Sequence, residues 1–183
     1  MRKILLLVTA IVILVVLGGT TPVMTDDGGL RGVGPRAVVA NLRGFDEVPA
    51  LSTTGQGRFI ATLNAAGTEL TFQLNYSNLV GNVAQAHIHF GQLGVNGGIM
   101  LFLCTNLGNG PAGTQACPGT NSGGVNGNLT AAEIVSSASA QGIALGEFSE
   151  VLRAIRAGIA YANVHSDLYP GGEIRGQLIF IPE

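Results

Sequence analysis

The clearest fold signal in the chain is Glu69-Leu70-Thr71-Phe72-Gln73-Leu74-Asn75-Tyr76, in which polar and apolar side chains alternate without exception. Successive side chains of a β-strand point to opposite faces, so this segment predicts a strand with one buried and one exposed face. The segment before it, residues 57–64, is also strand-like, and Ala65-Ala66-Gly67 lies between the two as a turn. Two strands joined by a short glycine-containing turn predict a β-hairpin.

Further strand-like segments lie on both sides of this hairpin. They are rich in β-branched or other apolar residues, and they cover residues 36–42, 83–90, 99–104, 159–165 and 173–180. Many short strands separated by Gly- and Pro-containing turns are typical of an all-β domain. The pattern predicts an antiparallel Greek-key β-sandwich of about seven or eight strands.

A short helical insertion is predicted before the strand at residues 159–165. Thr130 and Glu133 have the spacing of a capping box, which favours a short helix ending near residue 137. Apolar residues at i, i+3, i+4 and i+7 from Phe148 to Ile155 then predict a second helix, and Gly158 stands where a helix commonly ends. We expect the apolar stripe of this helix to pack on the sheet.

The first 21 residues have the features of an export signal. Met1-Arg2-Lys3 is a short positive segment. Residues 4–17 then form an apolar run of 14 residues that is broken only by one threonine. This length is typical of a signal peptide and short for a membrane span, although no Ala-x-Ala cleavage site follows and an uncleaved anchor is the alternative. We therefore predict a signal peptide or anchor at 1–21, a flexible lead-in at 22–35 and one domain at 36–183.

The composition argues against a nucleic-acid partner. Charged residues make up 11% of the chain, the formal net charge is −2, and the only lysine is Lys3. With no basic stripe, binding to nucleic acid is disfavoured. We expect a secreted, periplasmic or cell-surface protein with no membrane span in the mature chain.

Cys104 and Cys117 are the only cysteines, and the twelve residues between them are rich in Gly, Pro and Asn. In an oxidising compartment an even pair across such a loop predicts a disulfide. A zinc site is disfavoured because the C-x2-C spacing is missing.

The three histidines fall in two strand segments. His87 and His89 are one residue apart on one predicted strand and therefore share a face, whereas His165 comes 76 residues later at the end of another. Three imidazoles from two strands could bind copper or zinc and leave one coordination position open. The alternative is structural, with each histidine donating a hydrogen bond to a backbone carbonyl near a loop.

Three charged residues follow His165 closely. Asp167 could accept a hydrogen bond from His165 or simply belong to a turn. Glu173 and Arg175 share a face of the last predicted strand. They could form a charged rim that orients a ligand or His165, or else a cross-strand ion pair or a hydrogen bond that fixes the Gly171-Gly172 turn. Ser166 faces away from its neighbour His165, and we predict no catalytic residue.

Several separated motifs together carry a family resemblance. They are Phe45-Asp-Glu-Val-Pro49, residues 57–64, Ala86-His-Ile-His-Phe-Gly91, Asn96-Gly-Gly, Tyr161-Ala-Asn-Val-His165 and Pro170-Gly-Gly-Glu-Ile-Arg-Gly-Gln177. In this order they resemble the CHRD (chordin) domain, in its bacterial single-domain type, over about residues 36–180. The resemblance implies a secreted all-β module. The growth-factor partners of the animal protein are not implied for a lone exported domain.

A second likeness concerns the architecture of the histidine segments. A His-x-His strand, a later strand ending in His and a Gly-rich turn followed by Arg are similar to copper/zinc superoxide dismutase, which implies an immunoglobulin-like or superoxide-dismutase-like sandwich. It also implies copper ligation by His87, His89 and His165, with Arg175 as an anion-guiding residue. The bridging histidine and the zinc ligands of that family have no counterpart here, which argues against dismutase activity.

Three functional hypotheses follow from these observations. The first is a non-catalytic binding or structural module that holds copper or zinc at the three histidines and has a protein or small ligand, of unknown identity, as its partner. The second is a copper-dependent redox enzyme. The third is a structural envelope or matrix domain without metal.

Overall fold

The computed structural model describes residues 36–182, so the predictions for residues 1–21 and 22–35 lie outside the described residues. The described chain contains nine β-strands, one α-helix and three short 3-10 helices. The strands are β1 (Arg36–Arg43), β2 (Gln56–Leu63), β3 (Leu70–Ser77), β4 (Val83–Phe90), β5 (Gly98–Thr105), β6 (Gly123–Leu129), β7 (Ala160–Ser166), β8 (Ile174–Gln177) and β9 (Ile179–Ile181). The helix α1 spans Phe148–Arg156, and the 3-10 helices span Gly44–Asp46, Ala131–Glu133 and Ser136–Gln141. None of the helices between residues 36 and 182 is long and apolar enough to cross a membrane.

The strands form one hydrogen-bonded sheet in the order β5-β4-β7-β8-β1-β2-β3-β6, and β9 pairs with β1 beside β8. Every pairing is antiparallel. The predicted antiparallel all-β class is confirmed. Apolar side chains from both halves of the sheet meet in one buried cluster, as expected when the inner faces of a sandwich pack together.

The two end strands of the sheet, β5 and β6, are bridged by one side chain from the loop between them. The Nε2 atom of Gln115 donates to the carbonyl of Leu103 on β5 and to that of Asn126 on β6. The Gln115 carbonyl also accepts from the backbone N–H of Thr105. The sheet is therefore nearly closed, which covers strand edges that would otherwise expose unpaired backbone groups.

The predicted hairpin is confirmed, and its alternation places one face in the core. Leu70, Phe72, Leu74 and Tyr76 are buried, and β3 pairs with β2 through eight residues. The turn between them needs Gly67, whose φ of +72° lies in the left-handed region that glycine tolerates.

The strand count differs from the expected seven or eight at two places. Strand β6 has the sequence Gly-Gly-Val-Asn-Gly-Asn-Leu, whose glycines and asparagines are typical of a loop, yet it pairs with β3 over its whole length. The segment 173–180 is divided at Leu178. Before this residue β8 pairs with both β7 and β1, and after it β9 pairs with β1.

The helical insertion also differs in part from the expectation. Helix α1 is confirmed, and it buries Phe148, Val151, Leu152 and Ile155. The capping box of Thr130 and Glu133 is present, but only a single 3-10 turn follows it, and the expected helix to residue 137 was wrong. Ile134 instead forms an antiparallel bridge with Leu101, so pairing with the edge strand β5 draws the chain out of the helical conformation.

The disulfide between Cys104 and Cys117 is confirmed. Its loop is fastened a second time by Asn106, whose Nδ2 atom donates to the carbonyls of Val83 and Cys117. The backbone N–H of Cys117 donates in return to Oδ1 of Asn106. The loop therefore has covalent and hydrogen-bonded constraints where it lacks an apolar core.

The carboxylate of Glu173 holds several loops together at the end of β8. It is fully buried and accepts hydrogen bonds from the hydroxyls of Thr53 and Ser166 and from the backbone N–H groups of Val80 and Gly81. Four donors from three separate segments converge on one side chain. Removing it would leave buried donors without an acceptor, which is more destabilising than the loss of an average hydrogen bond.

We predict that Glu173→Ala lowers the free energy of unfolding by at least about 3 kcal/mol, because several buried donors lose their acceptor together. Urea unfolding followed by circular dichroism measures the change. The matched control is Glu150→Ala, which breaks a surface ion pair with Arg153 and should cost less than about 1 kcal/mol. Equal effects of the two substitutions would contradict this role for Glu173.

Candidate metal centre

Strands β4 and β7 bring the three histidines together. In their antiparallel register His87 lies opposite Asn163, His89 opposite Tyr161, and Gln85 opposite His165. Residues at alternate positions share a face, so all three imidazoles project from the same side of this strand pair. The opposite side of β4 carries Ile88, which is fully buried in the apolar core.

The imidazoles form a compact, buried cluster. His87, His89 and His165 expose 0%, 8% and 5% of their surface, and one ring nitrogen from each lies within 4.8 Å of the other two. The shortest separation, 3.1 Å, joins Nδ1 of His87 to Nε2 of His165. This contact is a hydrogen bond between the two imidazole rings.

Backbone carbonyls determine which nitrogen of two imidazoles carries the proton. Nδ1 of His89 lies 3.0 Å from the carbonyl oxygen of Gly97, and Nδ1 of His165 lies 3.0 Å from that of Pro170. A carbonyl only accepts, so both Nδ1 atoms are donors and both Nε2 atoms carry a lone pair in the neutral rings. Metal-bound histidines commonly donate their other ring nitrogen in this way.

Two ring nitrogens of the cluster have no hydrogen-bond partner. Nε2 of His87 and Nε2 of His89 are buried and unpaired. Buried polar atoms without a partner are rare and costly, and each needs an explanation. Nε2 of His165 accepts from Nδ1 of His87, so Nε2 of His87 carries a lone pair, as does Nε2 of His89. Imidazole lone pairs are donors that copper and zinc use.

The cluster favours neutral imidazoles. Burial, reinforced by the neighbouring His165 and His89, lowers the pKa of His87 from 6.5 to about 2. Burial, reinforced by His165 and Arg175, lowers the pKa of His89 to about 4, although the Gly97 carbonyl acts in the opposite direction. Burial also lowers the pKa of His165. At neutral pH the rings are therefore free of the protons that would compete with a metal ion.

Arg175 lies under a loop rather than on an exposed rim. Its side chain is 1% exposed, and its guanidinium donates to the carbonyls of Gln92 and Val95 and to Oδ1 of Asn96. These residues belong to the loop between β4 and β5 that also contains Gly97, the partner of His89. All of these interactions hold the guanidinium to the loop, so the geometry favours a positioning role over the guiding of an anion.

An aromatic side chain connects this arginine to the cluster. The Tyr161 ring is parallel to the His89 ring at 4.8 Å between centroids, and the Arg175 guanidinium lies 3.3 Å from the Tyr161 centroid. The Tyr161 hydroxyl oxygen accepts from the backbone N–H of Gly97. Phe102 of β5 covers His87 from another side, with centroids 4.3 Å apart.

Glu47 and Asn163 are buried polar residues, like Arg175 and the histidines, and we call this group the polar layer. Neither Glu47 nor Asn163 was among the predicted site residues. The Nδ2 atom of Asn163 donates to Oε1 of Glu47 at 2.6 Å. Burial raises the pKa of Glu47 to about 7, although Asn163 and Arg175 act in the opposite direction. A Cβ at Gly172, where φ is +127°, would come within 2.6 Å of both side chains, so glycine leaves room for this contact. The presence of Glu47 in one of the family-like motifs was the signal that could have identified it.

Two predicted neighbours of the cluster have other partners. The Asp167 carboxylate accepts from the backbone and side-chain nitrogens of Asn82, and Pro170 supplies the acceptor for His165 instead. Glu173 binds Ser166 and the loops described above, and the described residues contain no ion pair between Glu173 and Arg175. Among the described residues, neither carboxylate is hydrogen-bonded to His165 or Arg175.

A family model described as the CHRD domain matches residues 38–178, which is most of the chain. The chain belongs to the CHRD domain family. No curated protein and no solved structure matches it. The resemblance stated from the motifs is confirmed, and it includes both histidine strands of this CHRD domain.

Acidification should destabilise the metal-free CHRD domain. Because burial lowers the histidine pKa values, the unfolded chain binds protons more strongly than the folded chain. The stability supplied by neutral histidines is complete above the unfolded pKa of about 6.5 and is lost as the pH falls towards the folded values. Each histidine can contribute a slope of up to about 1.4 kcal/mol per pH unit.

Glu47 acts in the opposite direction and provides a control. Its folded pKa of about 7 exceeds the reference value of 4.5, so its contribution to stability grows as the pH falls through that window. We expect urea midpoints to decrease between about pH 7 and about pH 5 and to decrease more steeply in Glu47→Gln. A flat profile, or a shallower one in the variant, would contradict the proposed linkage.

Proposed function

We propose that this CHRD domain is an exported, non-catalytic module that binds one copper or zinc ion through His87, His89 and His165. The observation that carries the proposal is the pair of buried, unpartnered Nε2 atoms on His87 and His89. The disulfide and the apolar run near the N-terminus support export, since disulfides persist in oxidising compartments. A protein or small ligand as partner remains part of the proposal.

The surroundings of the three histidines support binding by a preformed site. Loop carbonyls already orient His89 and His165, so little side-chain entropy is lost when a metal ion binds. The nearby aromatic rings of Phe102 and Tyr161 limit ring movement. Such a site would hold the ion between two strands and two loops, and binding would stabilise the folded state by mass action.

A copper-dependent redox enzyme is less well supported than a binding module. Catalysis at a metal ion needs an open coordination position for water or substrate. The free Nε2 atoms of His87 and His89 are shielded from solvent, and Arg175 is bonded to the loop over the cluster. A structural domain without metal is the third hypothesis, and the experiment below separates it from the first.

We expect purified wild-type protein, loaded with Cu or Zn and freed of excess metal, to retain about one ion per chain. Elemental analysis against protein concentration measures this ratio. The double variant His87→Ala/His89→Ala should retain almost none, because only His165 remains. His89→Gln provides a milder test, since it keeps a polar side chain of similar size.

The matched control is Ile88→Val, which changes the same strand on its opposite, apolar face. It should retain metal as the wild type does and lose only about 1 kcal/mol of stability. Circular dichroism verifies that each variant is folded. Sub-stoichiometric metal in the wild type, unchanged in the histidine variants, would overturn the proposal and favour the structural domain.

A further inference from the structure

The donor set of the histidine cluster is electrically neutral. The only described group of three or more His, Cys, Asp or Glu side chains that could hold a metal consists of His87, His89 and His165. No carboxylate or thiolate is among them, since Asp167 and Glu173 bind other partners and both cysteines are in the disulfide. A bound ion would therefore keep its full charge inside a buried site.

The charged side chain that is linked to the cluster through ring contacts is positive, whereas the carboxylates of Asp167 and Glu173 bind other groups. The guanidinium of Arg175 contacts Tyr161, which is stacked on His89. Glu47 is the acidic group that faces Arg175 in the same polar layer, and its pKa of about 7 leaves it partly protonated at neutral pH. Asp46 also acts on Arg175, but it is paired with Arg43 near the surface. The surroundings thus disfavour a high positive charge on the ion.

Within residues 36–182 the cluster also lacks a fourth His, Cys, Asp or Glu donor. The unpaired Nε2 atoms have almost no solvent contact, and the loop bonded to Arg175 lies over His89 through Gly97. Zinc in proteins almost always completes a tetrahedron of four ligands. Monovalent copper is a d¹⁰ ion that accepts two or three nitrogen ligands without a water molecule. Three imidazoles alone are therefore a complete donor set for that ion.

We propose that this site selects monovalent copper, Cu(I), over Cu(II) and Zn(II). The free energy of burying an ion rises with the square of its charge, so a neutral donor set near a guanidinium penalises the divalent ions most. This inference rests on the proposed metal-binding function and specifies its ligand. The domain would hold copper in its reduced form.

The test measures three affinities of the metal-free protein. Cu(I) is supplied under nitrogen with ascorbate and competed with a chromogenic Cu(I) chelator, Cu(II) is competed with glycine, and Zn(II) with a zinc indicator dye. We expect Cu(I) to bind at least about tenfold more tightly than either divalent ion. Equal or tighter binding of Zn(II) or Cu(II) would overturn the selectivity while leaving the proposed function intact. Absence of binding by all three ions would overturn both.

A charge variant tests the cause of the selectivity. Gln85 lies opposite His165 in the strand register, and its Oε1 atom accepts from Asn109, a contact that Gln85→Glu can keep. The added negative charge should lower the ratio of the Cu(I) affinity to the Cu(II) or Zn(II) affinity several-fold. Gln73→Glu on the exposed face of β3 is the matched control and should leave the ratio unchanged. An unchanged ratio in Gln85→Glu would overturn the electrostatic explanation.

Arg175 gives an independent comparison. Arg175→Met removes the positive charge and should narrow the preference for Cu(I), whereas Arg175→Lys keeps the charge and should preserve the preference even if all three affinities fall. The readout is the ratio of the Cu(I) affinity to the Cu(II) or Zn(II) affinity. A purely structural defect would weaken the binding of all three ions together and leave this ratio unchanged. If the two variants change the ratio equally, the role of the charge is overturned. Gln85→Glu provides the same test if either variant does not fold.

Discussion

The constraint on which the site depends is the burial of both faces of strand β7. All seven of its residues are buried, although only one face carries the apolar side chains Ala160, Ala162 and Val164. The other face carries Tyr161, Asn163 and His165, whose polar atoms need partners away from water. Loops from other parts of the chain supply these partners, so the polar face determines how the loops are folded.

The resulting network links elements that are distant in sequence. Arg175 on β8 holds the loop carbonyls of Gln92 and Val95, and the same loop presents Gly97 to His89. On the other side, Glu173 fixes Ser166, next to His165, while Pro170 accepts from His165 itself. The orientations of His89 and His165 therefore depend on residues outside the cluster. Charged side chains expected at a rim act instead from within the structure.

Much of the fold could be predicted from the sequence, because alternation and turn residues are local signals. The hairpin of β2 and β3, the disulfide, helix α1 and the shared face of His87 and His89 all follow from such signals. Strand β6 could not be predicted in this way, since its glycine-rich sequence is held by pairing with β3 and by Gln115. The roles of Glu47 and Arg175 were equally hidden, because they arise from contacts between segments far apart in the chain.

The structural and metal-binding interpretations of the histidines agree at the Nδ1 atoms and differ at the Nε2 atoms. Hydrogen bonds from Nδ1 to Gly97 and Pro170 are what the structural interpretation predicts, and they are also what metal ligands require. The Nε2 atoms distinguish the two interpretations. A purely structural histidine gains nothing from an unpaired buried lone pair, which costs about 1–3 kcal/mol. Two such atoms, on His87 and His89, have no partner that a metal-free domain supplies, whereas Nε2 of His165 accepts from Nδ1 of His87. Coordination to a metal ion would satisfy the two unpaired atoms.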